Sequence, residues 1–282
     1  MRQFIIQADD LGVSEGTNMA IFDSHLSGAL TSTSVIATLP AFDHAADLIA
    51  EAPDLGCGAH LSLNLGRPVA PVSTVELLLD PNGLLRYPFS YHLRRSTQRE
   101  YLRQVGIEVE AQLTKMIDGG FRLDHADSQQ HIHMIPGIRD VIMEKVRKAG
   151  IRFLRHSVEP WSGHPGNAPK INFIKSATVA LLAARRPTLS CPIGFIGLRH
   201  TGQMTVDRVI HYLDNLGPGI WEIALHPGTG EFSDDPTIHQ PIADYLRLPE
   251  RRMEWKVLTS DRLRDHLRAT QIETIAFGDA RP

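Results

Sequence analysis

The sequence predicts an α/β chain whose parallel strands curl into a single irregular (β/α) barrel of seven or eight strands. Three observations carry that expectation. Short β-type runs alternate with helical patterns along the chain, and no composition break or linker divides the 282 residues. The polar, chemistry-bearing residues fall where strands end, which is where the loops of a parallel α/β fold converge. One domain, residues 1–282, is therefore expected, with long loops at 66–96 and 160–190.

Residues 2–8 read as the first strand. Ser14 opens a helix in which Met19, Phe22 and Leu26 fall three and four apart, and Gly28 ends it. Residues 32–39 form a second strand, 42–51 a helix and 55–63 a third strand. In that strand Leu55, Cys57, Ala59, Leu61 and Leu63 share one face, with His60, Ser62 and Asn64 on the other. Residues 66–96 are Pro-rich and irregular, too long for a plain connection and suited to a lid or substrate-facing loop. Residues 97–119 resume as a long amphipathic helix with Leu102, Val105, Val109, Leu113 and Met116 on one stripe. A strand at 121–127, a helix at 138–149 and a strand at 151–155 follow. The insertion 160–190 is polar and Pro/Gly-rich before a helical stretch around 171–185. Strands at 194–198 and 219–225 flank a helix at 205–216, and a terminal helical region precedes a last strand at 272–277.

Composition excludes several functions. With 29 Lys+Arg against 32 Asp+Glu, the net charge of −3 argues against nucleic acid bound through a broadly basic surface. The two cysteines, Cys57 and Cys191, make no disulfide framework or thiolate zinc site and are expected as buried thiols. The first apolar run is too short for a signal peptide, and the longest later one, residues 177–184, is too short to span a bilayer. A soluble, cytoplasmic protein is the expectation, with a homodimer as the base-rate guess for its assembly. No Walker or GxGxxG element occurs, which removes the common P-loop and dinucleotide readings.

Four polar clusters sit at strand ends: Asp9-Asp10, His60, the run 124–133 and His226. Two adjacent carboxylates after a buried strand are costly without a cation beside them, which a divalent metal would supply. The alternative is a turn in which Asp caps the helix at Ser14. An extended run would place His125, Asp127, Gln129, His131 and His133 on one side, a dense set of metal-capable and proton-transfer groups. His226 opens a Pro/Gly loop and can either act chemically or close the strand end. A metal with carboxylate and imidazole ligands, a free carboxylate and an opposed imidazole suits metal-assisted hydrolysis.

The strings ADDLG, SEGTNMAI, LTSTSVIATLPAFDHA, LGCGAHLSLN, ADSQQHIHMIP and EIALHPG resemble, in that order, the YdjC-like carbohydrate deacetylases. That family includes chitooligosaccharide deacetylases and a hopanoid-associated member. The resemblance implies a barrel of the glycoside hydrolase/deacetylase type and removal of an N-acetyl group from an amino sugar, oligosaccharide or glycolipid with a divalent metal. It implies Asp9 as general base, Asp10 and His60 as metal ligands, and His226 as the acid that protonates the leaving amine. Arg155 would orient Asp9 or bind the oxyanion, with His125, Asp127, His131 and His133 in substrate-binding or supporting places.

The resemblance breaks at one position. The family pattern Asp-Ser-His-Gln-His becomes Asp127-Ser128-Gln129-Gln130-His131, so Gln129 stands where the third ligand histidine is expected. A glutamine oxygen suits Mg better than Zn. Gln129 ligates a loosely held metal, or His131 replaces it, or the site is metal-poor with altered or lost activity. A non-catalytic sugar-binding descendant and a hydrolase of another amide, such as a formamido sugar, are the competing functions. Trp161, Tyr87, Phe89 and Tyr91 in the long loops offer faces for sugar stacking, or anchor those loops or a subunit contact.

Overall fold

A computed structural model describes residues 2–161, 163–184, 193–231, 236 and 238–281. Its centre is a curled parallel sheet ordered β5-β4-β3-β2-β1-β7-β6, with β8 paired to the start of β1. The strands are β1 (Arg2–Leu11), β2 (Ser32–Val35), β3 (Gly56–Leu61), β4 (Leu123–Ser128), β5 (Phe153–Leu154), β6 (Ile193–Ile196), β7 (Gly219–Leu225) and β8 (Glu273–Thr274). Among the described residues β5 and β6 are the two edges, so the barrel is open between them.

Alternation along each strand sorts the side chains. On β1, Phe4, Ile6 and Ala8 face outward into the main core under the helices. Ile5 points inward and packs with Phe153, Ile193, Ile220, Ile275 and Phe277, which fill the lower end of the barrel. Above that plug the inward positions turn polar: Gln7, Asp9, Ser34, His60, His125, Asp127, Arg155 and Glu222 are all buried. The expected two faces of the third strand are those seen, with Cys57, Ala59 and Leu61 in the outer core and His60 inside. Cys57 is buried, while Cys191 lies outside the described residues.

Several local expectations are corrected. In α1 (Glu15–Leu26), Met19 and Leu26 are exposed, and the buried face is Thr17, Asn18, Ala20, Ile21 and Ser24. Small residues there allow close approach, and Asn18 Oδ1 accepts from the Gly12 N–H at 2.6 Å. Residues 66–96 are anchored and contain the helix α3 (Phe89–Arg95); Val75, Leu78 and Leu85 lie in the core. The helix α4 (Arg99–Asp118) buries Gln104, Glu108 and Gln112 beside its apolar stripe. Glu108 accepts from the N–H groups of Val69 and Ala70 at 3.0 Å each, and Gln104 from that of Leu77 at 2.8 Å. The expected strand at 32–39 pairs only through Val35.

Candidate active site

Adjacent residues of a regular strand point to opposite faces, so Asp9 and Asp10 need a backbone irregularity to share a site. The β1–β2 register shifts between Ala8 and Leu11, and Asp10 has φ +76°, a region few residues other than glycine, asparagine and aspartate enter. Gly12 follows at φ +90°, where a Cβ would lie 2.7 Å from the Ile36 carbonyl oxygen. Ser14, not an aspartate, caps α1, accepting from the Thr17 N–H at 3.1 Å. The strained turn therefore serves the carboxylates rather than the helix.

Asp9 accepts two parallel hydrogen bonds from Arg155, Nη1 to Oδ2 and Nη2 to Oδ1, both 2.7 Å. Burial pushes its pKa up, but the Arg155 guanidinium, with His60 and His226, outweighs this and holds the carboxyl well below its usual range. Asp10 is held by Arg251, whose Nη1 donates to Oδ2 at 2.7 Å. Burial again raises its pKa and Arg251 lowers it, with a net fall. The other oxygen, Oδ1, lies 3.8 Å from His60 Nε2.

His60 is fixed from both sides. Its Nδ1 lies 2.7 Å from Asp127 Oδ1, and its Nε2 lies 3.0 Å from Gln129 Oε1. Burial lowers its pKa, but Asp127, aided by Asp9 and Asp10, raises it to about 10. If Nδ1–H donates to Asp127, the Nε2 lone pair faces the Gln129 oxygen, and a cation or a second proton must separate the two acceptors. A carboxylate on the far nitrogen of a histidine is the usual support of a metal ligand. Asp10 Oδ1, His60 Nε2 and Gln129 Oε1 thus fit a hard divalent cation. Asp9, His60 and Asp127 also offer atoms within 4.8 Å of one another. In that set both Asp9 oxygens are bonded to Arg155, and Asp127 is shared between His60 and Arg155 at 2.6 Å.

His226 Nε2 lies 3.9 Å from Asp9 Oδ2, and its side chain is one-fifth exposed at the barrel mouth. Burial lowers its pKa, but Glu254, Asp10 and Asp9 raise it further, with a net rise. Glu254 accepts from the backbone N–H groups of His226 at 2.6 Å and Gly202 at 3.0 Å. Arg251 and Glu254, three residues apart on the helix α9 (Pro249–Leu258), thereby reach Asp10 and the His226 loop from one face.

The run 124–133 does not continue as a strand. It ends at Ser128 and enters a 3-10 turn, Gln129–Met134, with Gln130 and His131 at φ +53° and +54°. Asp127 and Gln129 stay at the site, and the other three residues separate. His125 faces inward lower down, stacked on Phe277 at 3.9 Å and paired with Asp124 at 2.6 Å. His133 is buried between Ser128 at 2.6 Å and the Arg155 carbonyl oxygen at 3.1 Å. His131 bonds Ser157 at 2.9 Å, and burial with Arg155 nearby lowers its pKa to about 3. Of the loop aromatics, Tyr91 anchors its loop through a bond to the Leu77 carbonyl oxygen at 2.8 Å, and Phe89 packs against the core.

Sequence reasoning missed Ser34, Glu222, Arg251 and Glu254. Ser34 Oγ lies 3.2 Å from both His60 Nδ1 and Asp127 Oδ2, and Glu222 Oε1 lies 2.5 Å from Arg155 Nη2. A lone glutamate inside the apolar strand GIWEIAL was a legible signal for Glu222. Charges on a late helix are usually solvated, so nothing marked Arg251 or Glu254.

Known proteins place the chain. The YdjC-like protein family matches residues 3–269. A carbohydrate deacetylase from Brevibacillus brevis is 26% identical over 280 residues, covering 98% of this chain and 99% of the relative. The Homo sapiens carbohydrate deacetylase is 29% identical over 299 residues, covering 98% and 90%. A solved structure from Enterococcus faecalis V583, of a protein named for cellobiose-phosphate cleavage, has the same fold. It aligns with TM-score 0.72 and 23% identity over 98% of this chain and 97% of that one. The matched family model spans nearly the whole sequence, including every residue of the strand-end cluster, and the chain belongs to the YdjC-like protein family.

Proposed function

We propose that the chain is a carbohydrate deacetylase, one barrel domain that hydrolyses the N-acetyl group of an amino sugar to acetate and a free amine. The observation that carries this reading is the convergence of Asp9, Asp10, His60, Gln129 and His226 at one barrel mouth. It is supported by relatives named carbohydrate deacetylase that align over nearly all of the chain.

Asp10, His60 and Gln129 would hold a divalent cation, and their two oxygens and one nitrogen favour Mg over Zn. When bound, the cation would polarise the amide carbonyl and lower the pKa of water. Asp9, kept ionised and aimed by Arg155, takes the proton of the attacking water. Both terminal nitrogens of Arg155 are engaged by carboxylates, so it orients Asp9 rather than binding an oxyanion. His226, protonated by its carboxylate surroundings, gives its proton to the nitrogen as the C–N bond breaks. We place this enzyme in the cytoplasm; no described helix is long and apolar enough to cross a membrane.

One observation favours a second reading. An imidazolium at His60 donates to both Asp127 and Gln129, which satisfies the site without a cation and suits a non-catalytic sugar-binding descendant. Mass analysis of N-acetylglucosamine oligomers after incubation with protein and Mg, Mn, Co, Ni or Zn separates the two. Deacetylated oligomer supports the enzyme; unchanged oligomer with every metal, together with binding of the intact sugar, overturns it.

A further inference from the structure

The helix α6 (Lys170–Ala184) carries large apolar residues on its outer as well as its inner face, with no single apolar stripe. Its inner face has a cover: Val179 and Ala183 pack against Met134, Phe195 and Leu198, beside the 3-10 turn that carries Gln129. Among the described residues its outer face has none. Ile171, Phe173, Ile174 and Leu181 are 50–60% exposed, and Trp161 joins them with its ring 6.1 Å from that of Phe173. These five are nearly half of the eleven large apolar side chains exposed among the described residues. Such a concentration marks an interaction surface rather than scattered surface carbon.

Charge identifies the occupant. The helix itself contains Lys170 and Lys175 and no aspartate or glutamate, in a chain whose net charge is −3. Lys170 and Lys175 are exposed on the same helix as the apolar face. Arg199 stacks over both Trp161 and Phe173, at 5.0 and 5.6 Å, but it is buried and 3.9 Å from Glu159, so the exposed cations of this face are Lys170 and Lys175. A second copy related by a two-fold axis would bring like charges together around that face, which opposes self-association. An apolar ridge edged with cations and bearing an exposed tryptophan matches the interface of an anionic bilayer. There, apolar groups enter the acyl boundary and Lys and Arg meet headgroups.

We propose that the outer face of α6, with Trp161, docks this protein peripherally on an anionic lipid surface and sets the barrel mouth beside it. The inference does not depend on the deacetylase reading, since docking needs no chemistry at Asp9 or His226.

The test is sedimentation of the full chain with sucrose-loaded vesicles of phosphatidylcholine containing one-third phosphatidylglycerol, at low and high salt. Tryptophan emission is followed in parallel. The expected result is pelleting with the anionic vesicles and a blue shift lost in Trp161→Ser. Binding should weaken at least tenfold with phosphatidylcholine alone and at high salt. Ile171→Ser/Ile174→Ser/Leu181→Ser and Lys170→Glu/Lys175→Glu should each weaken binding tenfold or more. All these side chains are exposed, and an unchanged circular dichroism spectrum checks that each variant is folded. Wild-type protein that stays in the supernatant with anionic vesicles overturns the proposal. So does a stable dimer in light scattering that the same serine substitutions dissociate, or an acidic protein that competes for the face when vesicles do not bind.

Discussion

Glu222→Gln should stabilise the protein at pH 8 and leave it nearly unchanged at pH 5. Glu222 is buried inside the barrel, 1% exposed, and burial raises its carboxyl from 4.5 to about 7 despite Arg155 at 2.5 Å. The neighbouring Asp9 carboxylate adds to the rise, and Arg155 offsets burial only in part. Between those two values the folded chain holds a proton that the unfolded chain has released. Stability therefore falls as pH rises, by about 1.4 kcal/mol per unit, to a total of about 3 kcal/mol. Glutamine has no proton to lose and keeps an oxygen for Arg155 Nη2. About 3 kcal/mol corresponds to a Tm difference of about 5 °C for a chain of this size. The assay is thermal unfolding by circular dichroism from pH 5 to pH 8 in EDTA, so that bound cations do not enter. A Tm difference that does not grow with pH, or a less stable variant at pH 8, would refute the reasoning.

Asp9→Asn and His226→Gln should each reduce deacetylation by about 10²–10⁴-fold, the usual contribution of a positioned base or acid, with the folded spectrum retained. A loss confined to KM would show that they bind sugar rather than move protons. His226 has a raised pKa, so its protonated form persists above the ordinary histidine range and is lost as pH rises through the folded value. Glu254→Gln should therefore move the alkaline limb of the rate profile to lower pH, and an unmoved limb would assign that limb to another group. Gly58→Ala puts a Cβ 2.4 Å from the His125 ring, and this overpacking should cost about 1–3 kcal/mol. The cost should shrink in Gly58→Ala/His125→Ala, as measured by urea unfolding.

Strand parity made much of the barrel legible. Alternation in GCGAHL put His60 inward, and the acidic and histidine residues at strand ends marked one mouth. What the sequence hid has physical causes. Strand parity cannot anticipate a bulge, so the turn that lets Asp9 and Asp10 share a face at φ +76° shows only as ADDLG. The same rule, extended past Ser128, misplaced His131 and His133, because two left-handed residues break the period there. The α1 stripe failed because its buried face, apart from Ile21, is built of Ala, Ser, Thr and Asn, small enough for close packing and invisible to an apolar count. Arg251 and Glu254 act across about 240 and 30 residues of sequence, on Asp10 and His226, where local pattern carries no information.

The proposed amide hydrolysis depends most heavily on Asp10, His60 and Gln129 forming a cation centre. Acetate release from an N-acetylglucosamine oligomer, followed against Mg and Mn concentration in wild type and Asp10→Asn, tests it most directly. Release should saturate with cation in the wild type, be abolished by EDTA, and be lost in the variant at every concentration. Release indifferent to cation, or retained by Asp10→Asn, would contradict it.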